Sequence, residues 1–94
     1  MEFEWDENKN RQNQQKHGVS FEEAKEIFLG VVFTSVSDKL DYGEIREVSI
    51  GAIQKVAIAA VVHTDRNGKV RIISARKATQ KERKKYDEYL AQTS

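Results

Sequence analysis

The 94-residue chain has no cysteine, which excludes a disulfide framework, a thiolate metal site and a thiol nucleophile. That agrees with a reducing compartment. Long apolar runs are missing too. The longest, "VAIAAVV" from Val56 to Val62, falls far short of the roughly 20 residues a membrane helix needs. The opening "MEFEWDENKN" is acidic and carries no apolar stretch, so it does not read as a secretory signal. Repeats and low-complexity tracts are absent, as is any glycine-rich loop able to cradle a phosphate. The two histidines, His17 and His63, are too few and too isolated for a metal site. Glu22, Glu23 and Glu26 form ordinary helix surface and show no paired-acid pattern. The expectation is a soluble, cytoplasmic protein without cofactor, metal or membrane partner. A chain this short buries about 60–65% of its unfolded surface, so residues 1–94 make one domain with one modest core.

The near-absence of net charge is deceptive. The formal total is +1, yet the stretch from Arg66 to Lys85 holds nine cations against one acid, Glu82, while the other 74 residues sum to −7. Charge this segregated points to a polyanionic ligand, although an acidic protein partner or a solvated face also accommodates it.

The elements can be placed from pattern. "FEW", Phe3 to Trp5, reads as a brief strand or anchoring segment, with Trp5 a core anchor or a base-stacking platform. Asp6 is a suitable N-cap for "DENKNRQNQQKH", a helix with almost no apolar residue that Gly18 ends. A helix polar on all sides is either a solvated connector or presents polar groups to a ligand. Lys9, Asn13 and Lys16 fall at i, i+4 and i+7 on one face, with His17 beside them. Ser20 and Glu23 form a capping box opening a second helix, whose stripe is Phe21, Ala24, Ile27 and Phe28. Strands follow over Val31–Ser37, Glu44–Ile53, Lys55–Thr64 and Val70–Lys77. Asp38 to Gly43 forms one turn, a short turn lies near Gln54–Lys55, and Asn67-Gly68 marks a tight hairpin. The unbroken apolar centre of Val56–Val62 indicates a middle strand covered at least partly on both faces. Thr79 and Glu82 form a second capping box and open a last helix. The expected fold is α+β: a four-stranded antiparallel sheet with helices on one side, two N-terminal and one C-terminal.

Regular alternation along "VRIISARK" puts Val70, Ile72, Ser74 and Arg76 on one face and Arg71, Ile73, Ala75 and Lys77 on the other. Lys77, Lys81, Lys84 and Lys85 make a cationic stripe into the last helix. Such a stripe repels itself, and phosphates binding to it release counterions from a nucleic acid.

RNA carries its own nucleophile, the 2′-hydroxyl. A metal-independent ribonuclease needs a group to take that proton, a cation to stabilise the phosphorane and a group to protonate the leaving 5′-oxygen. An ordinary imidazole, titrating near about 6.5, suits either transfer, which singles out His17, although a cap on the polar helix explains it equally. Arg46 and Arg76 are permanently charged forks matched to phosphate; Arg46 also suits an edge strand guarded against aggregation. His63, ending a buried strand, reads as structural.

The chain resembles the BrnT family of toxins. The N-terminal pattern falls on Phe3, Trp5, Asp6, Lys9, Asn13, Lys16, His17, Gly18 and Phe21. The C-terminal one falls on Ile73, Ser74, Ala75, Arg76, Lys77, Ala78, Thr79, Glu82 and Arg83. "GEIREVSIG" resembles the family's middle strand, with Arg46 its charged member. The resemblance implies a RelE/ParE-like toxin fold and RNA cleavage that inhibits translation. It also implies a BrnA-type antitoxin through which alone operator DNA is bound. Lys9, Lys16, His17, Arg46 and Arg76 are the candidate catalytic residues, and Arg71, Lys77, Lys81 and Lys84 the candidate RNA-backbone contacts. The alternative is a non-enzymatic module binding nucleic acid or an antitoxin.

Overall fold

Local chemistry sets most element boundaries. In the computed structural model, which describes residues 1–41 and 44–93 with the side chains of 38–41 excepted, the order is β1 (Glu2–Glu4), α1 (Glu7–His17), α2 (Phe21–Ala24), β2 (Phe33–Asp41), β3 (Glu44–Ile53), β4 (Ala57–Arg66), β5 (Lys69–Lys77) and α3 (Gln80–Thr93). The Asp6 carboxylate accepts from the backbone N–H groups of Asn8 at 2.8 Å and Lys9 at 3.2 Å, satisfying donors that the first turn leaves orphaned. Gly18, at φ 72°, closes α1 in the left-handed conformation. Both expected capping boxes form, Ser20 with Glu23 and Thr79 with Glu82. Asn67 and Gly68, at φ 55° and 81°, make the two-residue turn between β4 and β5, whose positive φ values match the strands' twist.

Three expectations about the sheet and its helices are corrected. The sheet has five strands in the order β1-β5-β4-β3-β2, and β1 runs parallel to β5, so it is mixed rather than four-stranded and antiparallel. The pairing joins the two ends of the chain, and no local signal records it. The helices also occupy both faces. Ala59 and Val61 of β4 pack with Val19, Phe21, Ala24 and Ile27 of the N-terminal layer, whereas Ala60 between them packs with Ala78 and Tyr86 of the C-terminal one. Alternate residues of one strand point to opposite faces, so α3 covers the face that α2 leaves open. The Ala78 N–H bonds the Ile58 carbonyl at 3.0 Å and Tyr86 donates to the Val31 carbonyl at 2.8 Å, carrying the chain round to that face. The second N-terminal helix is four α-helical residues that tighten into a 3-10 turn over Lys25–Leu29. The central position of β4 is as expected.

In place of a turn over Asp38 to Gly43, β2 continues to Asp41, with a register shift between Val36 and Leu40; the Tyr42–Gly43 part of that expected turn lies outside the described residues. Among the described residues, no helix is long and apolar enough to cross a membrane.

A bulge in β5 corrects the expected alternation. Val62 pairs with Ser74, but the next residue, His63, pairs with Ile72, so Ile73 is the extra residue. Ile72 and Ala75 therefore share the buried N-terminal face. Ser74 and Arg76 point to the same side as Arg71, not to the side opposite.

Candidate active site

Helix α1 stays on the protein without an apolar face. Two buried asparagines three residues apart, Asn10 and Asn13, hold it by hydrogen bonds. Asn10 Oδ1 accepts from the Phe21 N–H at 2.8 Å, and its Nδ2 donates to Glu7 and Glu22. Asn13 Nδ2 donates to the carbonyls of Val19 and Ala75, both at 2.8 Å, and its Oδ1 accepts from the Ala75 N–H at 3.1 Å. β1 pairs with β5 only as far as Arg71. Beyond that point Asn13 serves as a substitute strand, satisfying both backbone groups of Ala75 on an otherwise open edge.

This attachment lays the other side of α1 along the bulge. A cleft of about 290 Å³ opens between them, lined by Lys9, Gln12, Lys16 and His17 of α1 and by Ile73 and Ser74 of β5, with Asn13 at its base. Next to it is a smaller cavity of about 160 Å³, lined by Lys9, Glu44, Arg46, Arg66, Arg71 and Ile73. Lys9 and Ile73 line both. Glu44 pairs with Arg66, and Glu4 Oε2 accepts from Arg71 Nη1 at 2.9 Å.

The structure thus brings together Lys9, Lys16 and His17 in the larger cleft, and Lys9, Arg46 and Arg71 in the smaller. Arg76 lines neither. Glu82 grips it through two parallel bonds, Nη1 to Oε1 at 2.7 Å and Nη2 to Oε2 at 3.0 Å. The Arg76 hydrogen bond holds the Glu82 carboxyl below its ordinary range, and the same bond raises Arg76. Lys77 is exposed at the end of β5, and Lys81 and Lys84 are exposed on α3. Arg66, Gln12 and Ser74 are not among the candidate site residues named from the sequence. Arg66 belongs to the cation run and precedes the Asn67-Gly68 turn, a signal that was available. Gln12 gave none, and Ser74 joins the cleft through the bulge.

His63 is buried at 7% exposure and structural. Its Nε2 lies 2.7 Å from Ser49 Oγ, which lies 2.7 Å from Thr34 Oγ1, and Phe28 meets the imidazole edge-on at 5.3 Å. Burial lowers its pKa, against a smaller opposing effect of Glu47. Trp5 packs edge-on against Phe21 at 6.1 Å beside the core, which fits the anchor reading. Among the described residues, no three of His, Cys, Asp and Glu cluster in a way that suits a metal ion.

Comparison with known proteins adds to this geometry. The family model for the ribonuclease toxin BrnT of type II toxin–antitoxin systems matches residues 5–82. Among solved structures, the chain is similar to the ribonuclease toxin BrnT of Brucella abortus, with 30% identity over 85% of this chain and 99% of that one and a TM-score of 0.63. A comparison with curated proteins finds no match.

Proposed function

The chain belongs to the BrnT family of type II toxin–antitoxin ribonuclease toxins, and from that premise we propose that it cuts RNA in the cleft between α1 and the β5 bulge. The observation that supports this reading is the convergence of Lys9, Lys16 and His17 on one concave surface. The substrate's 2′-oxygen attacks the adjacent phosphorus and loses its proton to His17. The equatorial oxygens of the phosphorane gain charge, which Lys9 and Lys16 stabilise in place. The P–O5′ bond breaks, and a proton returns to the 5′-oxygen, leaving a 2′,3′-cyclic phosphate and a 5′-hydroxyl. The chemistry calls on no metal. Arg46 adds a fixed charge from the adjoining cavity. Arg76 acts through Glu82, fixing the start of α3. Lys77, Lys81 and Lys84 hold the RNA backbone farther out.

Within this reading the cell's translation stops as its RNA is cut, and the site of action is the cytoplasm. A BrnA-type antitoxin inhibits by covering the basic surface, and operator DNA is met only through that partner.

The test compares RNA degradation by the wild type with that by His17→Ala and Lys16→Ala, each in EDTA. Cleavage that persists in EDTA and drops by roughly a hundred-fold or more without His17 is expected for a general acid–base group. Unchanged cleavage in both variants removes His17 and Lys16 from the chemistry. Salt-sensitive binding with no cleavage by the wild type favours the non-enzymatic alternative.

A further inference from the structure

The smaller cavity has a composition unlike that of the cleft where cutting is placed. Among the described residues, four cations, Lys9, Arg46, Arg66 and Arg71, line it with a single carboxylate, Glu44, and with the apolar Ile73, and none of these is aromatic. A base pocket in a single-strand binder uses aromatic faces for stacking; the described lining of this cavity offers chiefly charge and N–H donors. We propose that it holds a second backbone phosphate, next to the one that is cut, so that the protein takes single-stranded RNA by two consecutive phosphates. This rests on the ribonuclease reading for the identity of the first phosphate.

The sheet puts the two central arginines in reach of one anion. Arg71 pairs with Thr64 across β5 and β4. Arg46 immediately precedes Glu47, whose partner His63 immediately precedes Thr64. Arg46, Thr64 and Arg71 thus occupy neighbouring positions on three successive strands, with the arginine backbones about 10 Å apart. Thr64 between them is short and buried, and its hydroxyl is turned to the Ile45 carbonyl at 2.7 Å. Two long guanidinium side chains rising on either side of a short residue converge on what lies above it.

Acidic neighbours hold Arg71 and Arg66 without filling them. Glu4 takes one N–H of Arg71, out of five that a guanidinium offers. Glu44 takes one of Arg66. Side chains pinned at one end present their remaining donors with less ordering on binding, as phosphate recognition by arginine requires. The connection between the sites is also visible. Lys9 and Ile73 line both cavities, so a strand passing from one to the other crosses an ammonium and an apolar side chain, which suits a phosphodiester followed by its sugar.

The test uses full-length protein and three fluorescent, uncleavable 2′-deoxy dinucleotides: one with only its internal phosphate, one with an added 5′-phosphate and one with an added 3′-phosphate. Anisotropy titrations of the wild type should show one of the phosphorylated probes binding roughly ten-fold tighter than the bare one, with a log Kd–log salt slope steeper by about 0.7. Arg71→Gln should erase most of that ratio. Lys55→Gln, which removes a charge that lines neither cavity and pairs with Glu23, should keep it. Equal binding of all three probes by the wild type overturns the proposal, as does a ratio that Lys55→Gln lowers as much as Arg71→Gln. Because the probes are not cut, the ribonuclease reading fails separately, through absence of cleavage of the ribose versions.

Discussion

Asn13 and Ala75 are joined as two strands would be: the side-chain amide of one takes both the N–H and the carbonyl of the other, at 3.1 and 2.8 Å. A buried helix residue thereby closes a sheet edge and orients the cations that flank it. Asn13→Asp keeps the shape but replaces both Nδ2 donations with a second acceptor, stranding the carbonyls of Val19 and Ala75. The expected cost is about 2–4 kcal/mol of stability, read from urea midpoints at constant slope. A loss below about 0.5 kcal/mol would mean that the edge is held by something else.

Gly51 lies in the middle of β3 because the 3-10 turn passes close above it. A Cβ there would sit 2.7 Å from Ile27 Cβ and 3.2 Å from Val32 Cγ1. Both neighbours are anchored in the N-terminal layer, so Gly51→Ala should destabilise by about 1–3 kcal/mol through overpacking. Thermal unfolding measures it, and an unchanged midpoint would show that the turn can lift freely.

His63 sets an acid limit on stability. Burial lowers its folded pKa below the free imidazole's 6.5, so on acidification the unfolded chain takes up the proton first. Stability from this group is complete above about 6.5 and is lost as the pH falls through the lower folded value. Glu23 and Glu82, both lowered from 4.5, contribute above about 4.5 and lose their share in more acidic solution. His63→Gln should therefore flatten the upper part of the pH–stability curve and leave the lower part. A curve equally steep between roughly pH 6.5 and 5 in the variant would assign that slope to another group.

Arg76 and Glu82 make a bidentate pair at the start of α3, but the arginine side chain is 38% exposed. Solvent screening keeps such a pair near 1 kcal/mol or less. Arg76→Ala should cost about that much, and Glu82→Ala somewhat more because it also loses the capping bond from the Thr79 N–H; both should affect RNA cleavage only modestly, with a double mutant little worse than Glu82→Ala alone. If Arg76→Ala abolishes cleavage while Glu82→Ala spares it, the arginine touches RNA directly.

Much of this was readable in order along the chain. The caps at Asp6, Ser20 and Thr79, the Asn67-Gly68 turn and the fully apolar centre of β4 are local signals, and each appears where its chemistry puts it. The grouping of Lys9, Asn13, Lys16 and His17 followed from helical spacing alone. What stayed hidden depends on partners far away. The parallel pairing of β1 joins residues at opposite ends of the chain, and the placement of α3 on the second face is decided at Ala78 by a bond to Ile58. The burial of Asn10 and Asn13 defeats the rule that equates polarity with exposure, though their spacing of three was a visible hint. The bulge at Ile73 carries no glycine to announce it, and it moved Arg76 to the side of the sheet that carries Arg71.

That bulge has a final implication. Ile73 is surplus to the ladder: with it removed, Ile72 would be followed directly by Ser74, and every later side chain of β5 would keep its present direction. A deletion at this single position should leave the β4–β5 ladder continuous, while it shortens the stretch of β5 between its pairing with β1 at Arg71 and its bonds to Asn13 at Ala75. What would vanish is the greasy ridge dividing two charged hollows. On the ribonuclease reading proposed above, folding and RNA cleavage would then be separable at one residue, and the deletion variant's thermal midpoint and cleavage rate, measured together, would tell whether they are.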